Sequence, residues 1–176
     1  MKTMQSLLED QLKDLYSAEN QLLKALPKMA KKADSPSLVK AFTHHLKETE
    51  RQVERLNRIG RKLDLKLTGK KCAAMAGLIE EGKEVIDENE SGPDTDALLI
   101  AAAQRVEHYE VSAYGTALTM AEVLELDEVA QLLQTSADEE EAADDKLTEI
   151  ATGELYPSLC ECEEDEEEAM AAASTR

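Results

Sequence analysis

Acidic side chains stand in this sequence at positions that a helical protein normally gives to leucine. Read at helical spacing, Leu8, Leu12, Leu15, Glu19, Leu22, Leu26 and Met29 form an apolar stripe interrupted once, by Glu19. A second stripe, Ile100, Ala103, Glu107, Glu110, Tyr114, Ala117, Ala121 and Leu124, carries two successive acids. A third, Val129, Leu133, Ser136, Glu140, Asp144, Leu147 and Ala151, again places carboxylates in its middle. The remaining one, Leu38, Phe42, His45, Thr49, Gln52, Leu56, Ile59 and Leu63, is more polar, with Glu48 on its flank one turn from His45 and Gln52.

These interruptions fall near the midpoints of their helices, and midpoints share one level in an antiparallel bundle. A lone buried carboxylate costs several kcal/mol, and several in one layer repel each other unless cations neutralise them. His45 and Arg51 are the basic groups available there. Two metal ions are the economical solution: hard oxygen ligands suit iron or manganese, and bridging carboxylates hold such pairs about 3.5–4 Å apart. For any one acid, a flank position with its head group reaching water is an adequate explanation. For the joint pattern it requires four coincidences.

The elements that must carry these residues are four long helices, predicted at about Met4–Ala33, Pro36–Leu63, Asp96–Leu124 and Glu128–Ala151. Ser35-Pro36 reads as cap and first helical residue, Asp127 can cap the last helix, and Glu90-Ser-Gly-Pro-Asp94 is a break. Pro27 lies inside the first helix, where continuing periodicity through Met29 and Ala30 favours a kink near Leu23 over a stop at Leu26. Between the second and third long helices, Cys72 to Asn89 forms a short amphipathic fifth helix with Met75, Leu78, Ile79, Val85 and Ile86 on its apolar side. Tight turns on either side of one long crossover give the expected fold: an all-α, ferritin-like antiparallel four-helix bundle whose crossover carries the short helix.

Composition agrees. Seven glycines, four prolines, one Phe and no Trp disfavour a sheet. The net charge of -18 makes nucleic acid and anionic membranes poor partners, and it attracts cations. The bundle is expected over residues 1–153, with Thr152-Gly153 as a helix stop, followed by an acidic, disordered tail over 154–176. The amino terminus lacks a hydrophobic signal core and three cysteines make no disulfide framework, so a cytoplasmic location is expected.

The segments Leu15-Tyr-Ser-Ala-Glu-Asn-Gln-Leu22, Ala41-Phe-Thr-His-His-Leu-Lys-Glu-Thr49 with Gln52, Ala101-Ala-Ala-Gln-Arg-Val-Glu-His-Tyr-Glu110 with Tyr114-Gly115, and Glu139-Glu140 with Asp144 and Leu147 carry a family resemblance. Together they resemble the YciE/YciF-like bacterial stress proteins of the ferritin-like superfamily, relatives of rubrerythrin, over about residues 4–152. The resemblance implies metal ligands Glu19, Glu48, Glu107, Glu110 and Glu140, drawn from all four long helices. The superfamily pattern places Glu-x-x-His on two helices. Here Arg51 follows Glu48 and Ala143 follows Glu140 at that spacing, which leaves Asp144, then His45 or Gln52, as replacements by geometry.

The function expected on these grounds is that of a di-metal carboxylate protein, di-iron before di-manganese, that oxidises ferrous iron or handles peroxide or oxygen in a stress response, as a cytoplasmic homodimer. Bridging is expected from Glu48 with Glu140 or Glu110, and terminal ligation from Glu19 and Glu107. The alternative is a non-catalytic metal-binding or oligomeric bundle. His44 and His108 lie off the seam, Tyr16, Tyr109 and Tyr114 are within a turn of the acids and supply packing or hydrogen bonds, and Cys72 reads as a buried small residue. Cys160-x-Cys162 makes an incomplete thiolate site, and no nucleophile elbow, phosphate loop or zinc signature is present.

Overall fold

The structure is a computed structural model that describes residues 2–160. Its helices are α1 (Met4–Lys32), α2 (Pro36–Lys62), α3 (Ala73–Glu88), α4 (Pro93–Val123) and α5 (Asp127–Ile150), with no strand among the described residues. The expected all-α bundle with a short helix in its crossover is therefore the fold. α4 begins three residues earlier than the apolar periodicity indicates, because Pro93 occupies the first turn, where its fixed φ suits the helix and its missing N–H costs nothing.

Capping follows the local sequence. Thr3 Oγ1 accepts from the Ser6 N–H at 3.1 Å to start α1, and Ser35 Oγ accepts from the Leu38 N–H at 3.4 Å to start α2. α1 continues through Pro27 to Lys32. Cys72 caps α3, its sulfur accepting from the Met75 N–H at 3.4 Å.

Packing fixes the directions. The C-terminal half of α1 (Leu22, Leu26, Met29) shares an apolar cluster with the start of α4 (Leu99, Ile100, Ala103), the start of α2 (Leu38, Phe42) and the end of α5 (Leu147, Ile150). The N-terminal half of α1 (Leu8, Leu12, Leu15) shares the other cluster with the end of α4 (Ala117, Ala121), the end of α2 (Leu56, Ile59) and the start of α5 (Val129, Leu133). Both pairings require α1 to run antiparallel to α2 and α4, and α2 antiparallel to α5. Asp96, buried at the start of α4, reinforces this: its carboxylate accepts from the N–H groups of Asp34 and Ser35 at 3.0 and 2.7 Å, pinning the α1–α2 turn.

The two apolar clusters are thus the two ends of one bundle core, and the acidic layer lies between them. The C-terminal stop differs from expectation. The chain passes Gly153 in a π-helical turn, Ala151–Leu155, and stays helical through Cys160. Ala151 and Leu155 are buried in the core, and Glu154 Oε1 accepts from Ser37 Oγ at 2.9 Å, so packing overrides the local stop signal. The remainder of the expected acidic tail, with Cys162, lies outside the described residues.

Candidate metal centre

The mid-bundle layer brings together residues of all four long helices. His45 of α2, Glu107 and Glu110 of α4 and Glu140 of α5 each offer a ligand atom, all within 4.8 Å of one another, and all four residues are buried. Glu19 of α1 is fully buried beside them, accepting a hydrogen bond from the Tyr114 hydroxyl. Each helix presents its residue to the layer because the residues one or two turns away on the same seam are buried too, among them Leu15 and Leu22 on α1, Phe42 and Thr49 on α2, Ala103 and Tyr114 on α4, and Ser136 and Leu147 on α5.

Few of these acceptors are satisfied. Glu19 Oε2, Glu107 Oε2, Glu140 Oε2 and both oxygens of Glu110 have no hydrogen-bond partner, and neither ring nitrogen of His45 has one. His45 Nε2 lies 3.3 Å from Glu107 and 3.6 Å from Glu140 without hydrogen-bond geometry. Buried polar atoms are almost always partnered, so this many orphans in one layer mark a place built for something else.

Electrostatics point the same way. Burial raises the carboxyl of Glu19 from 4.5 to about 8, against the lowering effect of Tyr114 and His45. Burial, joined by neighbouring carboxylates, also holds Glu107, Glu110 and Glu140 above the usual range. For His45 burial opposes the charged ring, yet Glu107, Glu48 and Glu19 prevail and raise it from 6.5 to about 9. The donor set is one imidazole and clustered carboxylates, with lone pairs unclaimed, and it could hold a metal ion.

Supporting contacts orient the ligands. Gln52 Nε2 donates to Glu140 Oε1 at 2.5 Å and to Glu139 Oε2 at 3.2 Å. Arg55 clamps Glu139 in bidentate fashion at 2.6 and 2.7 Å and reaches Ser136 Oγ at 3.2 Å. Sequence reading passed over the Arg55–Glu139 pair. The signal was available in the spacing Gln52-x-x-Arg55, which puts both on one face, opposite a Glu139-Glu140 doublet.

Of the three expected residues outside the four-residue group, Glu19 is buried beside it, whereas Glu48 and Asp144 lie toward its edge. Glu48 is partly exposed and sits 3.5 Å from His45 Nδ1, with His44 at 3.2 Å and Arg51 at 3.5 Å on its outer side. Asp144 turns outward, accepting from Gln104 at 3.0 Å and facing His108 Nε2 at 3.3 Å. The preference for Asp144 over His45 as the replacement ligand therefore runs against the geometry: four residues beyond Glu140, Asp144 lies on the α4-facing flank, while His45 points into the layer. Tyr109 donates to Asp14 at 2.5 Å and meets the Cys72 sulfur at 3.0 Å, away from the ligand atoms.

Residues 3–159 match the family described as "Domain of unknown function (DUF892)". The chain belongs to this family. It is 47% identical over 152 residues to Protein YciF of Escherichia coli strain K12, covering 86% of this chain and 92% of the relative. The crystal structure of the E. coli stress protein YciF superposes with a TM-score of 0.83 at 46% identity, over 86% of this chain and 96% of the other. A protein of Rhodopseudomonas palustris, described as "a putative structural protein", gives 0.80 at 44% identity, over 84% and 94%. A protein of Xanthomonas campestris shares the fold at 18% identity and a TM-score of 0.71, over 92% and 99%. This DUF892 member is thus a YciF-like helical bundle with a buried His/Glu cluster, and no helix among its described residues is long and apolar enough to cross a membrane.

Proposed function

We propose that this YciF-like chain is a ferritin-like carboxylate protein that holds two metal ions, iron before manganese, and uses them to oxidise ferrous iron with peroxide or oxygen. The observation that carries the reading is the set of unpartnered carboxylate oxygens and imidazole nitrogens in one buried layer. His45, Glu107, Glu110 and Glu140 are the central ligands, with Glu19 on the α1 side and Glu48 on the outer α2 side. Five carboxylates supply more negative charge than one divalent ion neutralises, which favours a pair. Bound there, iron would supply one-electron redox chemistry and a Lewis acid for a peroxide oxygen.

The chain's own groups do the rest. Tyr114 and Gln52 fix Glu19 and Glu140, Arg55 holds Glu139 beside them, and the apolar clusters close the layer above and below. A single nitrogen donor among so many carboxylates favours hard, oxidised ions over ferrous ones. That observation supports a second reading, metal storage without turnover. A role in stress, a cytoplasmic setting and a homodimer complete the proposal, the first resting on likeness to YciF, itself described as a stress protein.

Metal content of protein purified without chelators tests it, followed by ferrous titration in air and with hydrogen peroxide. Two ions per chain and an oxo-bridged absorption band are expected. Absence of uptake at micromolar iron overturns the metal reading, and uptake without repeated turnover leaves storage.

A further inference from the structure

A cavity of about 420 Å³ opens between α2 and α5 and ends on the buried layer, where His45, Glu48 and Glu107 form its floor. Its walls are apolar, chiefly Phe42, Ala143 and Leu147, and the exposed Lys40 and Lys146 line its solvent side. Oxygen or hydrogen peroxide needs about the room of a water or two, on the order of 30 Å³ each. The cavity is far larger and falls within the range of about 300–1,000 Å³ usual for organic ligands. Its mouth carries two lysines and one carboxylate, Glu154, whose Oε1 accepts from Ser37 Oγ at 2.9 Å. Lys146 meets Glu149 at 2.7 Å, while Lys40 has no carboxylate within ion-pairing distance among the described residues. His45, buried and with both ring nitrogens unpartnered, faces whatever fills this space.

We infer that the cavity binds an organic hydroperoxide with an acidic head group, of the fatty-acid hydroperoxide class. The apolar body lies against Phe42, Ala143 and Leu147, the carboxylate meets Lys40 and Lys146, and the peroxide group reaches the floor at His45 and Glu107. This rests on the two-metal reading above and names its oxidant. The reaction balances with ferrous iron as reductant: the O–O bond of ROOH breaks, two ferrous ions give one electron each, two protons are taken up, and ROH and water leave.

The test is equilibrium binding of a dansyl-labelled undecanoic acid to the full chain, read by fluorescence, with metal content measured on the same samples. One probe per chain is expected, displaced by linoleic acid hydroperoxide. Ala143→Phe fills the cavity and should weaken binding roughly tenfold or more, and reversing both charges in K40E/K146E should do the same through surface residues that the fold does not need. Gly82→Leu, in a separate apolar cavity of about 230 Å³ between α1, α3 and α4, should leave binding unchanged. Wild-type tightness in both Ala143→Phe and K40E/K146E, or an equal loss in Gly82→Leu, overturns the inference. Metal uptake without probe binding sinks this inference alone, and probe binding without metal uptake sinks the two-metal reading while the cavity keeps its ligand.

Discussion

Gln52 on α2 donates to Glu140 Oε1 on α5 at 2.5 Å, so one oxygen of that carboxylate is committed while its other oxygen has no partner. The amide aims the free lone pairs toward His45, Glu107 and Glu110. Replacing a group that orients a ligand usually costs about 10–100-fold in metal affinity. Gln52→Leu should therefore weaken metal binding by about that factor while leaving the helical content intact. Calorimetric titration of the metal-free variant checks this, and unchanged affinity would show that the amide serves only packing.

Tyr114 gives its hydroxyl proton to Glu19, the acid that interrupts the α1 stripe. In Tyr114→Phe that carboxyl loses its one hydrogen-bond donor, and leaving a buried group unsatisfied costs about 1–3 kcal/mol. The loss should appear in urea unfolding of the chelator-treated protein at pH 8 and shrink once metal supplies another partner.

Asp96 makes a purely structural prediction. Its carboxylate accepts from two backbone N–H groups in the α1–α2 turn. Asp96→Ala orphans both and should destabilise the protein by about 1–3 kcal/mol, with no change in metal stoichiometry.

The legible part of the chain was the part governed by periodicity. Leu8 through Met29 and Val129 through Leu147 alternate by three and four, so their helices, their buried faces and the misplaced acids could be read together. Asp96 could not be read, because a charge in a first helical turn looks like ordinary N-terminal compensation, and only the fold brings Asp34 and Ser35 to it. The C-terminal helix was hidden for a related reason: Thr152-Gly153 is a local stop, and the burial of Leu155 that overrides it is a tertiary contact. The choice between His45 and Asp144 depended on which side of a seam faces the layer. Spacing places both within a turn of an acid and within about 60° of it around the helix, too small a difference in phase for the sequence to separate them.

Without metal, stability should fall as pH rises from about 4.5 to 9. Glu19, raised from 4.5 to about 8, contributes fully below 4.5, and its contribution is lost as pH climbs through 8. His45, raised from 6.5 to about 9, contributes fully below 6.5 and is lost as pH passes 9, so both act in the same direction. Asp14 and Glu48, held below their usual values despite burial by groups such as Tyr109 and His45, oppose this only at lower pH. Urea midpoints at pH 5.5 and 8 in chelator should therefore favour the acid side. Bound cations, which require deprotonated ligands, should reverse that slope.

Glu110 separates a metal site from a mere polar layer. It is buried with both oxygens unpartnered, and its carboxyl is pushed far up by burial and then by Glu19 and Glu107. At pH 8 the metal-free fold must either keep a proton that the unfolded chain releases or bury a charge, and each choice costs free energy. Glu110→Gln removes that cost with little change in shape, so the metal-free variant should be more stable than the parent at pH 8, by more than ~1 kcal/mol, with the gain fading toward pH 4.5. The same change deletes a ligand and should lower metal stoichiometry or affinity. A variant that is more stable without metal and weaker with it has traded binding for folding, as expected where carboxylates are kept for a cation. Lower stability in chelator together with unaltered metal uptake would mean that Glu110 is held for the fold itself.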